Sequence, residues 1–230
     1  MRILVTRPRE DGEETAARLA AMGHQPLLAP LLKARWFDGP ELDLAGIAAI
    51  LATSANGVRA LVRHTARRDI PLFAVGPQTA QEARDAGFVR VENADGDAKA
   101  LAAAVPVWLD ADAGPLLHVR GEDSIGRLSE DLGARGYRLR RETLYAVDAV
   151  PLTPEVVQAL RDGAVDAALF FSPRSARIFL EQAADLELAN VIAFCISPAT
   201  AAVVPPGRFR AVRAAPAPNQ DALLALLAGH

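Results

Sequence analysis

The sequence predicts an α/β protein made of two similar halves, each a parallel sheet covered by helices. Three observations carry that expectation. The 230-residue chain is 51% hydrophobic and 23% charged, enough apolar material for a sizeable core and too much for a disordered or fibrous chain. Short apolar runs alternate with helical patterns, the sequence form of a parallel sheet with helices on both faces. The chain also repeats itself in order.

The repeat is read from four blocks. At an offset of 113, Arg7 falls on Arg120, Leu19 on Leu132, Gly23 on Gly136 and Leu31 on Leu144. Residues 50–59 match 168–177 at an offset of 118, and residues 73–80 match 194–201 at 121. A weaker fourth block sets 97–105 against 219–227. A constant order with slowly growing offset is the mark of duplication of a half of about 115 residues, a compact domain size.

Each block has one local design: an apolar run ends in a small or polar residue, and a helix begins. Ile3–Thr6 leads into a helix near Arg9–Met22, with Gly23 as its stop. Ala48–Ala52 leads into Ser54–Val62, and Leu72–Val75 into Pro77–Ala86, stopped by Gly87. A helix is expected at Asp97–Val105. Leu116–Val119 leads into Asp123–Arg135, stopped by Gly136. Ala167–Phe171 leads into Pro173–Ala184, with Ser172 as N-cap and Pro173 at the first helical position. Ile192–Ile196 leads into Pro198–Val203, and a last helix is expected at Asn219–Leu227. Two extended stretches, 31–38 and 142–149, follow the second strand of each copy and are candidates for connections between the halves.

Composition removes several function classes. A net charge of −3 argues against nucleic acid as the partner. The single cysteine, Cys195, excludes a disulfide framework and a cysteine-based zinc site; its apolar surroundings make it a buried structural thiol. His24, His64, His118 and His230 show no metal-ligand spacing, and no metal is expected. His118, inside an apolar run, reads as a packed strand residue. No phosphate-binding glycine loop or nucleophile elbow is present. The start of the chain breaks into charge too soon for a signal peptide, and no run approaches the ~20 apolar residues of a spanning helix. A cytoplasmic monomer without membrane contact is expected.

In open parallel sheets, ligands bind outside the carboxyl ends of the strands. Here those ends carry Thr6-Arg7, Thr53-Ser54-Ala55-Asn56, Gly76-Pro77-Gln78-Thr79, Arg120-Gly121, Ser172-Pro173-Arg174-Ser175 and Ser197-Pro198-Ala199-Thr200. Each opens a helix, whose backbone N–H groups and dipole favour anions. At any one position a plain capping role stays as open as a ligand role. The set, with arginines at 7, 120 and 174, favours a ligand bearing several anionic groups. The candidate ligand contacts are Arg7, Ser54, Asn56, Gly76, Thr79, Arg120, Gly121, Ser172, Arg174, Ser175, Ser197 and Thr200. Tyr145, in the second connecting stretch, is the candidate for chemistry: a phenol is a hydrogen-bond donor and a competent general acid. A tyrosine packed at a hinge is the alternative.

In these residues the chain resembles the uroporphyrinogen-III synthase family. The resemblance is carried by Val5-Thr6-Arg7-Pro8, Thr53-Ser54-Ala55-Asn56-Gly57-Val58, Ala74-Val75-Gly76-Pro77-Gln78-Thr79-Ala80, Arg120-Gly121-Glu122, Leu144-Tyr145, Phe171-Ser172-Pro173-Arg174-Ser175 and Ser197-Pro198-Ala199-Thr200-Ala201. Each motif is loose; their ordered set is specific. Ser197 departs from the pattern, which more usually has glycine there, as at Gly76.

The resemblance implies two flavodoxin-like parallel-sheet domains joined by a two-stranded β-ladder. It also implies interleaved copies: residues 1–35 and 149–230 form one domain, 39–141 the other, with 33–38 and 142–148 as the ladder. The implied substrate is hydroxymethylbilane, a linear tetrapyrrole with eight carboxylates, cyclised with loss of water and inversion of ring D, without cofactor. Tyr145 matches the family tyrosine that helps the hydroxyl leave, Thr79 and Thr200 the threonines lining the cleft, and Ser54 and Ser172 its cleft-edge serines. The competing class is a two-lobed module that binds an anionic small molecule without chemistry.

Overall fold

A computed structural model describes residues 1–124 and 126–228; His230 lies outside them. In chain order the elements are β1 (Arg2–Val5), α1 (Arg9–Ala21), β2 (Gln25–Leu28), β3 (Leu32–Trp36), β4 (Ala49–Ala52), α2 (Ala55–Leu61), β5 (Leu72–Ala74), α3 (Pro77–Asp85), β6 (Val91–Asn93) and α4 (Ala98–Trp108). They continue with β7 (Leu116–Gly121), α5 (Leu128–Gly133), β8 (Leu139–Ala149), α6 (Pro154–Arg161), β9 (Ala167–Phe170), α7 (Pro173–Gln182), β10 (Ile192–Cys195), α8 (Pro198–Ala201), β11 (Ala211–Ala214) and α9 (Gln220–Ala225).

The strands form two sheets, ordered β11-β10-β9-β1-β2 and β3-β8-β7-β4-β5-β6. The first belongs to a compact unit made of Met1–Lys33 and the chain from Asp148 onward; the second belongs to Ala34–Val147. Within the first unit the winding order is 2-1-3-4-5, the flavodoxin-like arrangement, with every pairing parallel. In the second unit, the strand matching β1 is β7, and that matching β2 is β8. The order is then the same, with β3 added beside β8. The copies in the sequence are therefore interleaved: β1 and β2 of the first copy complete a sheet with β9–β11 of the second, and β7 and β8 do the converse.

Both sheets are buried on two faces, because alternate side chains of one strand point oppositely. In the first unit, Ile3 and Val5 pack with Leu19, Phe194, Leu223 and Leu227 on one face. Leu4 packs with Phe170, Phe179 and Leu160 on the other. In the second unit, Ile50, Leu72 and Val119 meet Val58, Leu61 and Ala83 of α2 and α3. Leu51, Phe73 and Leu116 meet Leu101, Val105 and Leu132 of α4 and α5. Gly23 and Gly136, equivalent in the repeat, end α1 and the α5 turn with φ of 81° and 88°, a left-handed backbone that disfavours a side chain.

Three elements depart from expectation for local reasons. α5 begins at Leu128, not Asp123, because the Gly121–Ser124 turn uses its own backbone: Ser124 N–H donates to Gly121 O (3.1 Å) and Gly121 N–H to Ser124 Oγ (2.9 Å). α4 runs past Val105 through Pro106 to Trp108. Proline has no N–H for the Ala102 carbonyl, and Arg135 donates to that carbonyl instead at 2.7 Å. β8 is one strand of 11 residues, serving as both the second strand of its copy and the connection. A fourth difference is helix α6, which lies outside the expected elements although Thr153 caps it and Pro154 opens it.

Cys195 is buried in β10, and burial pushes its thiol up to about 12, in keeping with a structural role. Phe170 is fully buried, its ring 5.2 Å from Phe179 and 6.0 Å from Phe209. Phe170→Ala is expected to cost about 3–5 kcal/mol, read as a lower urea midpoint in equilibrium unfolding.

Candidate active site

Parallel pairing puts all strand carboxyl ends of a sheet at one edge, so the polar residues following each strand gather there. Ser54, Ser172 and Ser197 share one backbone geometry, with φ near −160° and ψ near +157°. Each hydroxyl accepts a backbone N–H three residues on: Gly57 at 3.1 Å, Ser175 at 3.0 Å and Thr200 at 3.2 Å. All three serines are thus helix caps in fact. Gly76 begins α3 at φ −157° without a side-chain cap. Ser197, also at −157°, occupies the equivalent position without strain, since this extended backbone suits any residue. Its departure from the glycine pattern adds a cap and leaves the fold of the turn unaltered.

The remaining candidates are placed as follows. Thr200 is fully buried with its Oγ1 3.1 Å from Ser197 Oγ, and Thr79 is buried at the start of α3. Ser175 is buried and donates to Ser172 O at 2.9 Å. Asn56 is half-buried and accepts from Arg59 at 3.4 Å. Arg174 is exposed. Arg7 is mostly buried: its guanidinium lies 3.3 Å from Asp11, donates to Gln220 and sits 4.6 Å over the Phe171 ring. Arg120 donates to Ser124 O at 2.8 Å and to Gly121 O at 3.4 Å.

The two strand-end loops that flank the reversal of winding order form the crevice that α/β sheets use for ligands. In the second unit these follow β4 and β7, and Tyr145 lies there. Its Oη is 2.7 Å from Ser54 Oγ. Its ring lies against Gly121, where a Cβ would come within 2.8 Å of Cε2 and Cζ and 3.1 Å of Oη. A bulge between Arg120 and Gly121 sets Gly121 opposite Tyr145, and the Glu122 N–H donates to Tyr145 O at 2.8 Å. Trp36 of β3 packs on the ring at 6.2 Å. Burial raises the phenol above its usual value of 10.0; hydrogen bonds with Ser54, the Gly121 backbone and Ser124 pull partly the other way. The phenol therefore keeps its proton at neutral pH and has hydrogen-bonding groups arrayed on its oxygen.

On the other face of β7, a cleft is lined by Thr53, His118, Arg120, Ser124, Ser129 and Arg141 among others. Arg141 and Ser124 were not singled out from sequence. Arg141 is the direct register partner of His118 on the neighbouring strand β8, a placement that only the strand pairing reveals. His118 is buried, with Nδ1 3.3 Å from Ser129 Oγ. Burial first, and then the charges of Arg120 and Arg141, lower it to about 4, against a smaller opposing effect of Glu130. Among the described residues no group of three or more His, Cys, Asp or Glu is placed to hold a metal ion. No helix there is long and apolar enough to cross a membrane.

A doubly represented flavodoxin-like winding, with a buried phenol at one switch point and hydroxyls at the strand ends, defines a two-unit α/β protein of the kind that takes ligands at its strand ends. The chain belongs to the uroporphyrinogen-III synthase family: the family model described as Uroporphyrinogen-III synthase HemD matches residues 13–225. Its members are cyclising lyases of heme biosynthesis. Uroporphyrinogen-III synthase of Chlorobaculum parvum is 28% identical over 209 residues, covering 83% of this chain and 82% of that protein. The crystal structure of uroporphyrinogen-III synthetase from Helicobacter pylori is 20% identical, covers 99% of this chain and 98% of its own, and has a TM-score of 0.68. A mutant uroporphyrinogen III synthase from Thermus thermophilus is 21% identical over 100% of this chain and 96% of its own, with a TM-score of 0.56. These two likenesses establish the fold.

The buried neutral His118 makes stability fall in acid. Its folded value of about 4 lies below the unfolded 6.5, so the unfolded chain binds more protons across that window. Stability present above pH 6.5 is lost as pH falls toward 4, by on the order of 2 kcal/mol at about pH 4.5. His118→Gln is expected to lose less stability than the parent between about pH 7 and 4.5 in urea titrations. Equal losses would assign the acid sensitivity elsewhere.

Proposed function

We infer that this protein cyclises hydroxymethylbilane to uroporphyrinogen III, with Tyr145 as the proton donor that helps the terminal hydroxyl leave. The observation that carries the reading is the Tyr145 phenol, protonated and hydrogen-bonded at the switch point of its sheet, in a chain of the synthase family. The non-catalytic binding module is not favoured by that membership.

The phenol proton passes to the substrate hydroxyl and water departs, leaving an azafulvene-type cation on the chain. Ring closure then takes place at the substituted carbon of ring D, through a spiro intermediate, and that ring is inverted. Closure without the enzyme gives the uninverted type I isomer. The protein's contribution is therefore orientation: it keeps the wrong carbon away from the cation. The substrate carries eight carboxylates, and the strand ends offer helix N–H groups, hydroxyls and the arginines at 7, 120 and 174 to such an anion. In this reading Ser54, Asn56, Gly76, Thr79, Gly121, Ser172, Ser175, Ser197 and Thr200 complete the binding set. The domains run 1–35 with 149–230, and 39–141. The enzyme works as a cytoplasmic monomer, without nucleic acid and without a cofactor.

Supplied with hydroxymethylbilane, the protein is expected to yield the type III isomer in large excess when products are resolved by chromatography; type I alone, at the uncatalysed rate, would sink the reading. Tyr145→Phe is expected to lower kcat by about a hundredfold, the usual scale of general-acid catalysis, with KM little changed. An unchanged kcat would remove Tyr145 from the chemistry.

A further inference from the structure

We propose that Ser54 is a positioning residue for the general acid: its hydroxyl, held at the switch point by helix α2, orients the Tyr145 phenol and stabilises the phenolate left when the proton is given up. The proposal rests on the reading of Tyr145 as proton donor and changes the part assigned to Ser54, from a contact to substrate to a partner of the tyrosine.

Geometry supplies three supports. Ser54 Oγ lies 2.7 Å from Tyr145 Oη and at the same time accepts the Gly57 N–H at 3.1 Å. The cap occupies a lone pair of Ser54 and fixes its χ1. Either hydroxyl can donate across this contact; with the serine's hydrogen on the phenol oxygen, the phenol's own hydrogen is available for substrate. Movement of the ring toward β7 is blocked, since it already packs so close to Gly121 that a Cβ there would lie 2.8 Å from Cε2 and Cζ. The backbone of Tyr145 is held by the Glu122 N–H at 2.8 Å, and Trp36 bounds the ring at 6.2 Å. The phenol is thereby confined to one orientation, with its oxygen facing a serine.

The chemistry needs such a partner. As the phenol proton moves to the substrate's hydroxyl oxygen, the carbon–oxygen bond breaks and its electron pair goes to that oxygen. Water departs, and the methylene carbon becomes a cation conjugated with the pyrrole nitrogen. The negative charge stays on the Tyr145 oxygen. After ring closure, the proton shed from ring D returns to the phenolate, and the enzyme is restored. A phenolate in a residue only 5% exposed is poorly solvated and requires a donor within hydrogen-bond distance. Ser54 meets that requirement because the strand β4 to helix α2 turn caps itself with this residue.

The test uses two substitutions at position 54 and the fact that the chain has two tyrosines. Ser54→Gly costs the start of α2 only a few tenths of a kcal/mol, since glycine is a tolerable N-cap. Its kcat is expected to fall about tenfold to a hundredfold, the scale of one hydrogen bond to a developing charge, with KM within about twofold. In a Tyr137→Phe background, where Tyr145 is the remaining tyrosine, absorbance titration should show the phenol ionising at higher pH in Ser54→Gly than in the Ser54 protein. Ser54→Thr restores the hydroxyl and should recover most of the lost rate. An unchanged kcat and unchanged titration in Ser54→Gly would overturn the proposal. So would a raised KM with kcat retained, which would mark Ser54 as a substrate contact. Full type III synthesis by Tyr145→Phe would remove the underlying reading of the tyrosine, whatever Ser54 does.

Discussion

Two parallel strand pairings between distant parts of the chain carry the architecture: β1 with β9, in register Ile3 to Ala167, and β4 with β7, in register Ala49 to Leu116. A five-stranded parallel sheet buried on both faces cannot be completed by one sequence copy here, because each copy crosses to the other unit after its second strand. Without β9, the apolar faces of Ile3, Leu4 and Val5 would be left half-covered, and their backbone groups would lack ladder partners on one side. The Arg2 N–H to Asp166 carboxylate bond, at 2.6 Å across 164 residues, sits at the entry to this pairing. Both cores, and both sets of strand-end loops, follow from it.

The same pairings create the switch points. Where the winding order reverses, two loops diverge and leave a crevice. In the first unit the crevice is occupied by Arg7, locked between Asp11, Gln220 and the Phe171 ring. In the second unit it holds the Tyr145 phenol against Ser54 and Gly121. The two halves thus share a winding and differ in what they place at its critical point: a cation wedged on an aromatic ring in one, a buried neutral acid in the other. The two crevices of the duplicated scaffold are filled from different positions of the repeat: Arg7 has its counterpart in Arg120, and Tyr145 falls on Leu32.

Helix capping joins fold to chemistry at this edge. Ser54, Ser172 and Ser197 begin their helices in one geometry, and each spends a lone pair on a backbone N–H. A cap is held rigidly because it is part of the helix start, so a hydroxyl that also meets a reacting group arrives already oriented. Only Ser54 has a phenol within hydrogen-bond distance of its cap oxygen among the described residues. Glycine at 121 has its physical reason in the same place, since any side chain would collide with the tyrosine ring.

Local signals were legible in the amino-acid order. The apolar runs, the Ser-Pro and Gly-Pro helix starts, and the stops at Gly23, Gly87 and Gly136 depend on neighbours a few residues apart, and they locate most strands and helices to within a residue or two. The short α5 and the passage of α4 through Pro106 were not legible, because the Ser124 turn and the Arg135 donor to Ala102 O involve partners that local pattern does not name. Tyr145 was visible as an unusual residue in a connecting strand, whereas its hydroxyl contact with Ser54, 91 positions earlier, was not. The strand-end arginines were read as ligand groups, and their partners, such as Phe171 beneath Arg7, came only with the folded chain. The sequence by itself determined where most strands and helices begin and end, and that the chain is a duplicated α/β protein. Tertiary structure decided which sheet each strand joins and which way the decisive side chains face, because strand pairing and side-chain contact are set by residues far apart in the chain.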